Sequence, residues 1–303
     1  MKLLITGANG LLGQKLVHLI VNETEHNLVA TARGESRLSK ALSGYTYEHM
    51  DVSVADEVNA VIAKHRPDVV IHTAAMTNVD QCETEREGCD LLNIKAVEYI
   101  VSACEAVGAR LVHLSTDFIF DGEAGPYDEE AAANPISHYG LSKLKAEEVI
   151  INSKLHWSIA RTVLVYGIVQ GMSRSNIILW VKGSLEAGKS IKVVDDQLRS
   201  PTLAEDLAKG CLLMAEQEAR GIYNMCGKDM LTPYDMAIKT AEFFNLDTST
   251  MERADASNFS QTAKRPPRTG LLIDKAIRDL GYAPRSFDEG IALLASQMTE
   301  MGQ

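Results

Sequence analysis

The chain of 303 residues has no apolar run as long as the roughly 18–20 residues that a membrane-spanning helix needs. It also lacks the charged segment and cleavage site of a secretory signal, so we expect no removable leader. Basic residues are scarce, since 30 Lys and Arg stand against 41 Asp and Glu and the net charge is −11. Because nucleic-acid phosphates need a basic surface, we expect no nucleic-acid partner. The lack of a long apolar run predicts no membrane partner.

Disulfide and metal patterns are missing as well. The five cysteines are odd in number and none forms a CxxC pair, which favours free thiols and a cytoplasmic location over disulfides or zinc. The eight histidines are scattered, with no HxxxH or HExxH motif. The sequence therefore predicts no metal site.

What the chain does contain is a regular alternation of strands and helices. Apolar strands and amphipathic helices alternate to about residue 165 without an antiparallel signal, which predicts an α/β fold with a doubly wound parallel sheet. We predict a Rossmann-like dinucleotide-binding domain over residues 1–165. Residues 166–303 are expected to form mainly a smaller substrate-binding lobe, with segments at about 191–230 returning to the first domain.

The alternation begins with an apolar strand at residues 2–6, which is followed by Gly7, Gly10 and Gly13 and by a helical pattern over residues 11–21. Strand, glycine turn and helix in this order are typical of a dinucleotide-binding unit, in which a pyrophosphate lies at the helix N-terminus. The spacing is GxxGxxG. Because glycine turns are common in proteins, the three glycines could also have a purely structural role.

The ends of the next strands carry candidate contacts for the adenosine part of a cofactor. Arg33 follows a strand at residues 27–32, where an arginine accommodates the extra phosphate of NADP and an acidic residue would favour NAD. This favours NADPH, although Arg33 could also be a solvated loop residue. Asp51 could contact the adenine or cap the helix that begins near Ser53.

Small residues after the fourth strand, Ala74, Ala75, Met76 and Thr77, would let a cofactor lie close to the sheet. A long helix is expected over residues 87–107, and its Asn93 is either a buried polar bridge or a surface residue.

A Tyr–Lys pair provides candidate chemistry. Tyr139 and Lys143 are four residues apart in a predicted helix over residues 137–152, so both side chains lie on one face. A nearby ammonium lowers the pKa of a phenol, which prepares it for proton transfer. Thr116, at the end of a strand, could bind the substrate oxygen or the tyrosine. These three residues suit protonation of an oxygen on a carbon that receives a hydride.

Six motifs give the chain a resemblance to the extended short-chain dehydrogenase/reductases, and within them to the dTDP-4-dehydrorhamnose reductase family. The motifs are TGANGLLG (residues 6–13), AAMTNVDQCE (74–83), STDFIFDG (115–122), YGLSK (139–143), DQLRSPT (196–202) and GIYNMCG (221–227). The similarity is dense to about residue 230 and thin after it.

The resemblance implies an oxidoreductase of nucleotide-sugar metabolism, such as dTDP-rhamnose biosynthesis, that reduces a 4-keto sugar on a nucleoside diphosphate with NADPH or NADH. Some members are magnesium-associated dimers, so the resemblance also implies magnesium and a homodimer. The implied catalytic residues are Thr116, Tyr139 and Lys143, and Thr116 and Asp117 would touch the substrate. The candidate cofactor contacts from motif and resemblance together are Gly7, Gly10, Leu11, Leu12, Gly13, Arg33, Asp51, Val52, Ala74, Ala75, Met76, Thr77, Tyr139 and Lys143.

Three departures from the family pattern lie on the expected substrate side. Phe118 stands where a tyrosine is usual, Leu164 where a tryptophan is usual, and residues 265–269 read RPPRT. The absence of a glutamate after Asp117 disfavours a 4,6-dehydratase. An NDP-sugar epimerase stays open as an alternative. So does an NADP-binding regulatory subunit resembling the methionine adenosyltransferase β subunit.

Overall fold

A computed structural model describes residues 1–172, 175–259 and 261–301. Its strands are β1 (Lys2–Thr6), β2 (Asn27–Ala32), β3 (Tyr45–His49), β4 (Val69–His72), β5 (Arg110–Thr116), β6 (Trp157–Thr162), β7 (Val165–Tyr166), β8 (Ile191–Val194), β9 (Thr202–Leu203), β10 (Gly221–Asn224) and β11 (Met251–Ala254). Seven strands form one sheet in the order β10-β6-β5-β4-β1-β2-β3, with every neighbouring pair parallel. The predicted doubly wound α/β fold is confirmed.

Helices cover both faces of this sheet. They are α1 (Leu11–Glu23), α2 (Ala55–His65), α3 (Val79–Thr84), α4 (Arg86–Asp90), α5 (Ala96–Val107), α6 (His138–Ile151), α7 (Ile177–Glu186), α8 (Ala204–Glu216), α9 (Pro233–Phe243), α10 (Asp274–Leu280) and α11 (Phe287–Glu300). One face packs mainly on α1 and α8, and the other on α2, α5 and α6. No helix in the described ranges has the length and apolar character needed to cross a membrane.

The central strands are short apolar runs because the helices bury them on both faces. β1 lies between β2 and β4, so the chain leaves it to one side for β2 and β3 and returns to the other for β4. This reversal is the topological switch point, where ligands of such sheets bind at the carboxyl ends of the strands. The glycine turn follows β1 at that point.

The remaining elements form a lobe beside the sheet. β8 pairs with β11, and helices α7, α9 and α11 pack around two further apolar clusters. Within the segment expected to return to the first domain, α8 packs on α1 and β10 extends the main sheet, whereas β8 belongs to the lobe.

The helix expected over residues 87–107 is interrupted. α4 leads through a π-helical turn at Leu91–Lys95 into α5. Asn93 lies in this turn, is 1% exposed and bonds Met76 twice, accepting from its N–H at 2.8 Å and donating to its carbonyl at 3.1 Å. Asn93 is therefore a buried polar bridge, and the widened turn is a local feature of the kind often seen near functional sites.

Candidate active site

The glycine turn brings the N-terminus of α1 to the sheet edge. Gly7 has φ +70°, in the left-handed region that glycine adopts without strain. A Cβ at Gly13 would lie 2.3 Å from the Gly7 carbonyl oxygen, so the helix packs against the turn more closely than any side chain allows. Gly10 caps α1 without a side-chain hydrogen bond. The first backbone N–H groups of α1 are thus available to an anion.

Two arginines lie at the ends of the loop after β2. The side chain of Arg33 is 76% exposed, and Arg37 lines the same cleft. Asn9 shapes this loop by accepting from the Arg37 N–H at 2.8 Å and donating to the Glu35 carbonyl at 2.8 Å. The Tyr47 hydroxyl donates to the Gly34 carbonyl at 2.8 Å. Because a phosphate monoester carries two negative charges, paired guanidinium groups suit it.

Three of the residues assigned to the cofactor do not line the cleft. Asp51 accepts hydrogen bonds from Ser53 N–H at 3.0 Å and Oγ at 2.7 Å, and it lies 3.9 Å from Arg33. Asp51 therefore stabilises a turn that precedes α2. Since α2 begins at Ala55 and its N-cap residue is Val54, Asp51 does not cap this helix, as the sequence had suggested it could. Val52 is buried, and Ala74 packs against the α2–α5 core.

The predicted catalytic residues do come together. Ser137 caps α6 by accepting from the Gly140 N–H at 3.2 Å, which fixes the helix start just before Tyr139. A Cβ at Gly140 would lie 2.1 Å from the Phe118 carbonyl oxygen, so α6 closely approaches the chain after β5. The approach places Tyr139 and Thr116 in the same cleft.

The electrostatics differ from the sequence expectation. Burial raises the pKa of Tyr139 above its usual value, an effect that the Thr116 hydrogen bond opposes. Burial outweighs every neighbour that lowers it, and the Lys143 Nζ is itself engaged, since it donates to the Leu114 carbonyl at 2.6 Å and lies 3.1 Å from Nε2 of His113. Burial lowers the pKa of Lys143 to about 8. Tyr139 is therefore a protonated phenol at neutral pH, as a proton donor must be.

Asp117 is buried between Thr116 and a segment of the C-terminal lobe. It accepts from the Thr116 hydroxyl at 3.1 Å and from the Thr269 hydroxyl. Burial raises the pKa of Asp117. Both oxygens have protein partners, so Asp117 connects Thr116 to the lobe as well as lining the cleft.

Residues 263–269, here named the strap, reach the cleft through Arg265. Arg265 pairs with Asp80 on α3 through two hydrogen bonds of 2.6 and 3.0 Å. This pairing is the main reason that the pKa of Asp80 is lowered to about 2. Arg199, 5% exposed, donates to the carbonyls of Pro266 at 2.6 Å and Pro267 at 3.1 Å. The strap is thus tied both to the sheet domain and to the 196–202 loop.

The cleft between the sheet edge and the lobe has a volume of about 940 Å³. Eleven of the fourteen assigned cofactor residues line it, together with Thr116 and Asp117. Sequence reasoning missed several further lining residues, among them Asn9, Arg37, Gln197 and Arg199. Arg199 stood in a motif that supported the family resemblance and Arg265 in a segment that departs from the family pattern, but neither segment indicated which side chains face the cleft.

The cleft fits a nicotinamide dinucleotide. It offers an uncapped helix N-terminus, a glycine cradle, two arginines at one end and Tyr139 with Lys143 at the other. Ser115 Oγ is buried beside Thr116 without a hydrogen-bond partner among the described residues, so a ligand could supply one. The magnesium implied by the resemblance finds no such site. Among the described residues, no group of three His, Cys, Asp or Glu side chains is arranged to hold a metal ion.

The fold and the cleft define an extended short-chain dehydrogenase/reductase with a Rossmann-like domain. The family model described as the RmlD substrate binding domain matches residues 1–300. The chain therefore belongs to this family, to which the dTDP-4-dehydrorhamnose reductases also belong.

Relatives of two kinds are similar to the chain. The methionine adenosyltransferase 2 subunit beta of Xenopus tropicalis is 32% identical over 251 residues, covering 81% of this chain and 73% of that protein. A dTDP-4-dehydrorhamnose reductase from Clostridium acetobutylicum has a TM-score of 0.86 at 28% identity, covering 99% of this chain and 100% of the other. A dTDP-4-dehydrorhamnose reductase from Bacillus anthracis, solved in complex with NADP, has a TM-score of 0.83 at 26% identity, covering 98% and 99%.

Proposed function

We propose that this protein reduces the 4-keto group of a nucleoside-diphosphate sugar, with a dTDP-linked 4-keto-6-deoxy sugar of rhamnose biosynthesis as the first candidate substrate. The observation that carries the proposal is that Thr116, Tyr139 and Lys143 line one cleft together with the glycine turn. Family membership and the two similar reductase structures support it.

NADPH or NADH, when bound, supplies the hydride for the ketone carbon. Tyr139 donates its phenolic proton to the ketone oxygen as that oxygen becomes a hydroxyl. Thr116 orients the carbonyl, and the Lys143 ammonium stabilises the phenolate that Tyr139 leaves behind. Arg33 and Arg37 favour NADPH, because an adenosine 2′-phosphate would meet two cations.

The test is a coupled assay with purified protein, NADPH or NADH and a panel of nucleoside-diphosphate 4-keto sugars. We expect NADPH loss in proportion to the reduced sugar formed. No consumption with any sugar of the panel would contradict the proposal, and NAD that copurifies tightly would favour an epimerase instead.

The similarity to methionine adenosyltransferase 2 subunit beta supports a second candidate, an NADP-binding regulatory subunit. Its test is whether the protein copurifies in fixed ratio with a methionine adenosyltransferase catalytic subunit and changes that enzyme's rate. The retained Tyr139 and Lys143 favour the reductase.

We further propose a cytoplasmic homodimer. None of the five cysteines, all of which lie in the described ranges, forms a disulfide, as expected in a reducing compartment. Light scattering of the purified protein tests the dimer, and a monomer would contradict it.

A further inference from the structure

A row of polar side chains crosses the buried sheet next to the proposed active site. Thr6, His72 and His113 occupy paired positions on β1, β4 and β5, so they lie side by side on one face. Both histidines are 1% exposed, and their rings stack with centroids 5.4 Å apart. Buried polar groups in an apolar sheet need an explanation, and the roles proposed above use neither histidine.

The row ends at Lys143. The Lys143 Nζ lies 3.1 Å from Nε2 of His113 and 2.6 Å from the Leu114 carbonyl oxygen. An ammonium group can only donate, so Nε2 of His113 must accept and its ring proton must lie on Nδ1. Two of the three ammonium protons are thereby used, and one is left for the cleft that Lys143 lines.

Among the side chains around Lys143, His113 is the one that accepts a hydrogen bond from its ammonium group. Glu147 lies one turn further along α6, but Arg161 holds both of its oxygens, at 3.0 and 2.7 Å. Cys89 on α4 is the remaining titratable neighbour that favours the ammonium, after Glu147. Burial and then the Lys143 charge hold the pKa of His113 well below its ordinary value, and they lower that of His72 to about 3. Both imidazoles are therefore neutral at neutral pH.

We propose that His113 is a positioning residue for the reduction: its Nε2 holds the Lys143 ammonium at the floor of the cleft, within reach of Tyr139 and of the bound cofactor. The consequence for catalysis rests on the proposed function, whereas the contact is a property of the free protein. Without the imidazole, a buried ammonium keeps only the Leu114 carbonyl as partner. The neutral amine is then favoured.

The first experiment titrates Lys143 in the free protein by NMR of ¹³C-labelled lysine, comparing wild type with His113→Leu and His113→Gln. A charged hydrogen bond is lost in His113→Leu, so we expect the pKa of Lys143 to fall by about one to two pH units. The amide oxygen of glutamine can take the position of Nε2, so His113→Gln should retain most of the wild-type value. The matched control is His72→Leu, which removes an equally buried imidazole that does not contact Lys143, and it should leave that pKa near wild type.

The second experiment measures the pH dependence of kcat for NADPH oxidation. If Lys143 acts as an ammonium, activity is lost as pH rises through its pKa, so His113→Leu should move the alkaline limb to lower pH and His113→Gln should restore it. A purely structural role would lower activity at every pH without moving the limb.

An unchanged Lys143 pKa in His113→Leu, or an equal fall in His72→Leu, would overturn the inference. If His113→Leu does not fold, the ¹⁵N spectrum of wild-type His113 decides, since a protonated Nε2 contradicts the contact and an unprotonated one supports it. The proposed function fails separately: the Lys143 titration can follow these expectations in a protein that reduces no sugar nucleotide.

Discussion

The cleft has two halves that are built in different ways. The turn half consists of the glycine turn, the loop at residues 33–37, Thr73 and residues 75–77. Most of it directly follows strands of the main sheet. The strap half consists of residues 116–118, Leu164, the 196–202 loop and the strap. Its parts are distant in sequence, and hydrogen bonds such as Arg199 to Pro266 and Thr269 to Asp117 join them. The half of a site that is built from residues close in sequence can be predicted from local motifs. The half that is assembled from distant segments cannot be predicted in this way.

Tyr139 lies where the two halves meet. Removing its hydroxyl should slow sugar reduction without weakening cofactor binding. In Tyr139→Phe the proton donor is lost while the ring remains, so we expect kcat for sugar reduction to fall about 10³-fold. The Kd for NADPH, measured by fluorescence titration, should change little. Tyr99→Phe on α5, outside the cleft, is the control and should keep wild-type kcat. A fall of less than about tenfold in Tyr139→Phe would remove the tyrosine from the role of proton donor.

A glycine substitution should damage the turn half alone. In Gly13→Ala the new Cβ would lie 2.3 Å from the Gly7 carbonyl oxygen, so α1 must shift away from the turn. Overpacking of this kind costs about 1–3 kcal/mol, which corresponds to roughly a 5- to 150-fold weaker NADPH complex if the strain falls on the binding conformation.

The matched control is Gly183→Ala on α7, where a Cβ meets nothing within 4 Å. It should stabilise the helix by up to about 1 kcal/mol in denaturant unfolding and leave NADPH binding unchanged. Equal effects of the two substitutions on binding would show that the close approach at Gly13 is unimportant.

A threonine substitution should damage the strap half alone. Thr269→Val keeps the side-chain volume but removes the hydroxyl that donates to buried Asp117. We expect a loss of about 1–3 kcal/mol in unfolding free energy. The KM for the sugar nucleotide should rise by about tenfold, since Asp117 then holds Thr116 less firmly. The Kd for NADPH should stay near wild type.

Thr240→Val provides the comparison, because Thr240 is equally buried but donates only to Met236 within α9. It should lower stability without changing the KM. If Thr269→Val instead weakens NADPH and sugar equally, the two halves are not independent.

Most of the sheet was predictable because its strands are short apolar runs and its turns carry glycine, aspartate or small residues. β1, β2 and α6 lie within a residue or two of their expected positions. The π turn at Asn93 was not predictable, since it depends on Met76, which lies seventeen positions away. The spacing of apolar residues predicts which face of a helix is buried. It does not predict whether one turn of that helix is widened.

The strap half escaped prediction for the same reason. The motif with Arg199 supported the family resemblance, but nothing local indicates that this side chain holds Pro266 and Pro267 across 67 and 68 residues. The role of Lys143 was also only partly visible. Spacing placed it beside Tyr139, whereas its contact with His113 depends on α6 packing over β5.

The smallest expected effect concerns the arginines at the far end of the turn half, where the sequence indicated one and the structure presents two. Arg33→Ala and Arg37→Ala should each weaken NADPH binding by about fivefold and NADH binding hardly at all, because an exposed ion pair is worth up to about 1 kcal/mol and only NADPH carries the 2′-phosphate. Competitive titrations of each variant with NADPH and NADH measure the ratio. High salt should reduce the wild-type preference, since exposed charges are screened. Equal weakening of both cofactors would instead place the arginines on the pyrophosphate, and the preference for NADPH would then need another source.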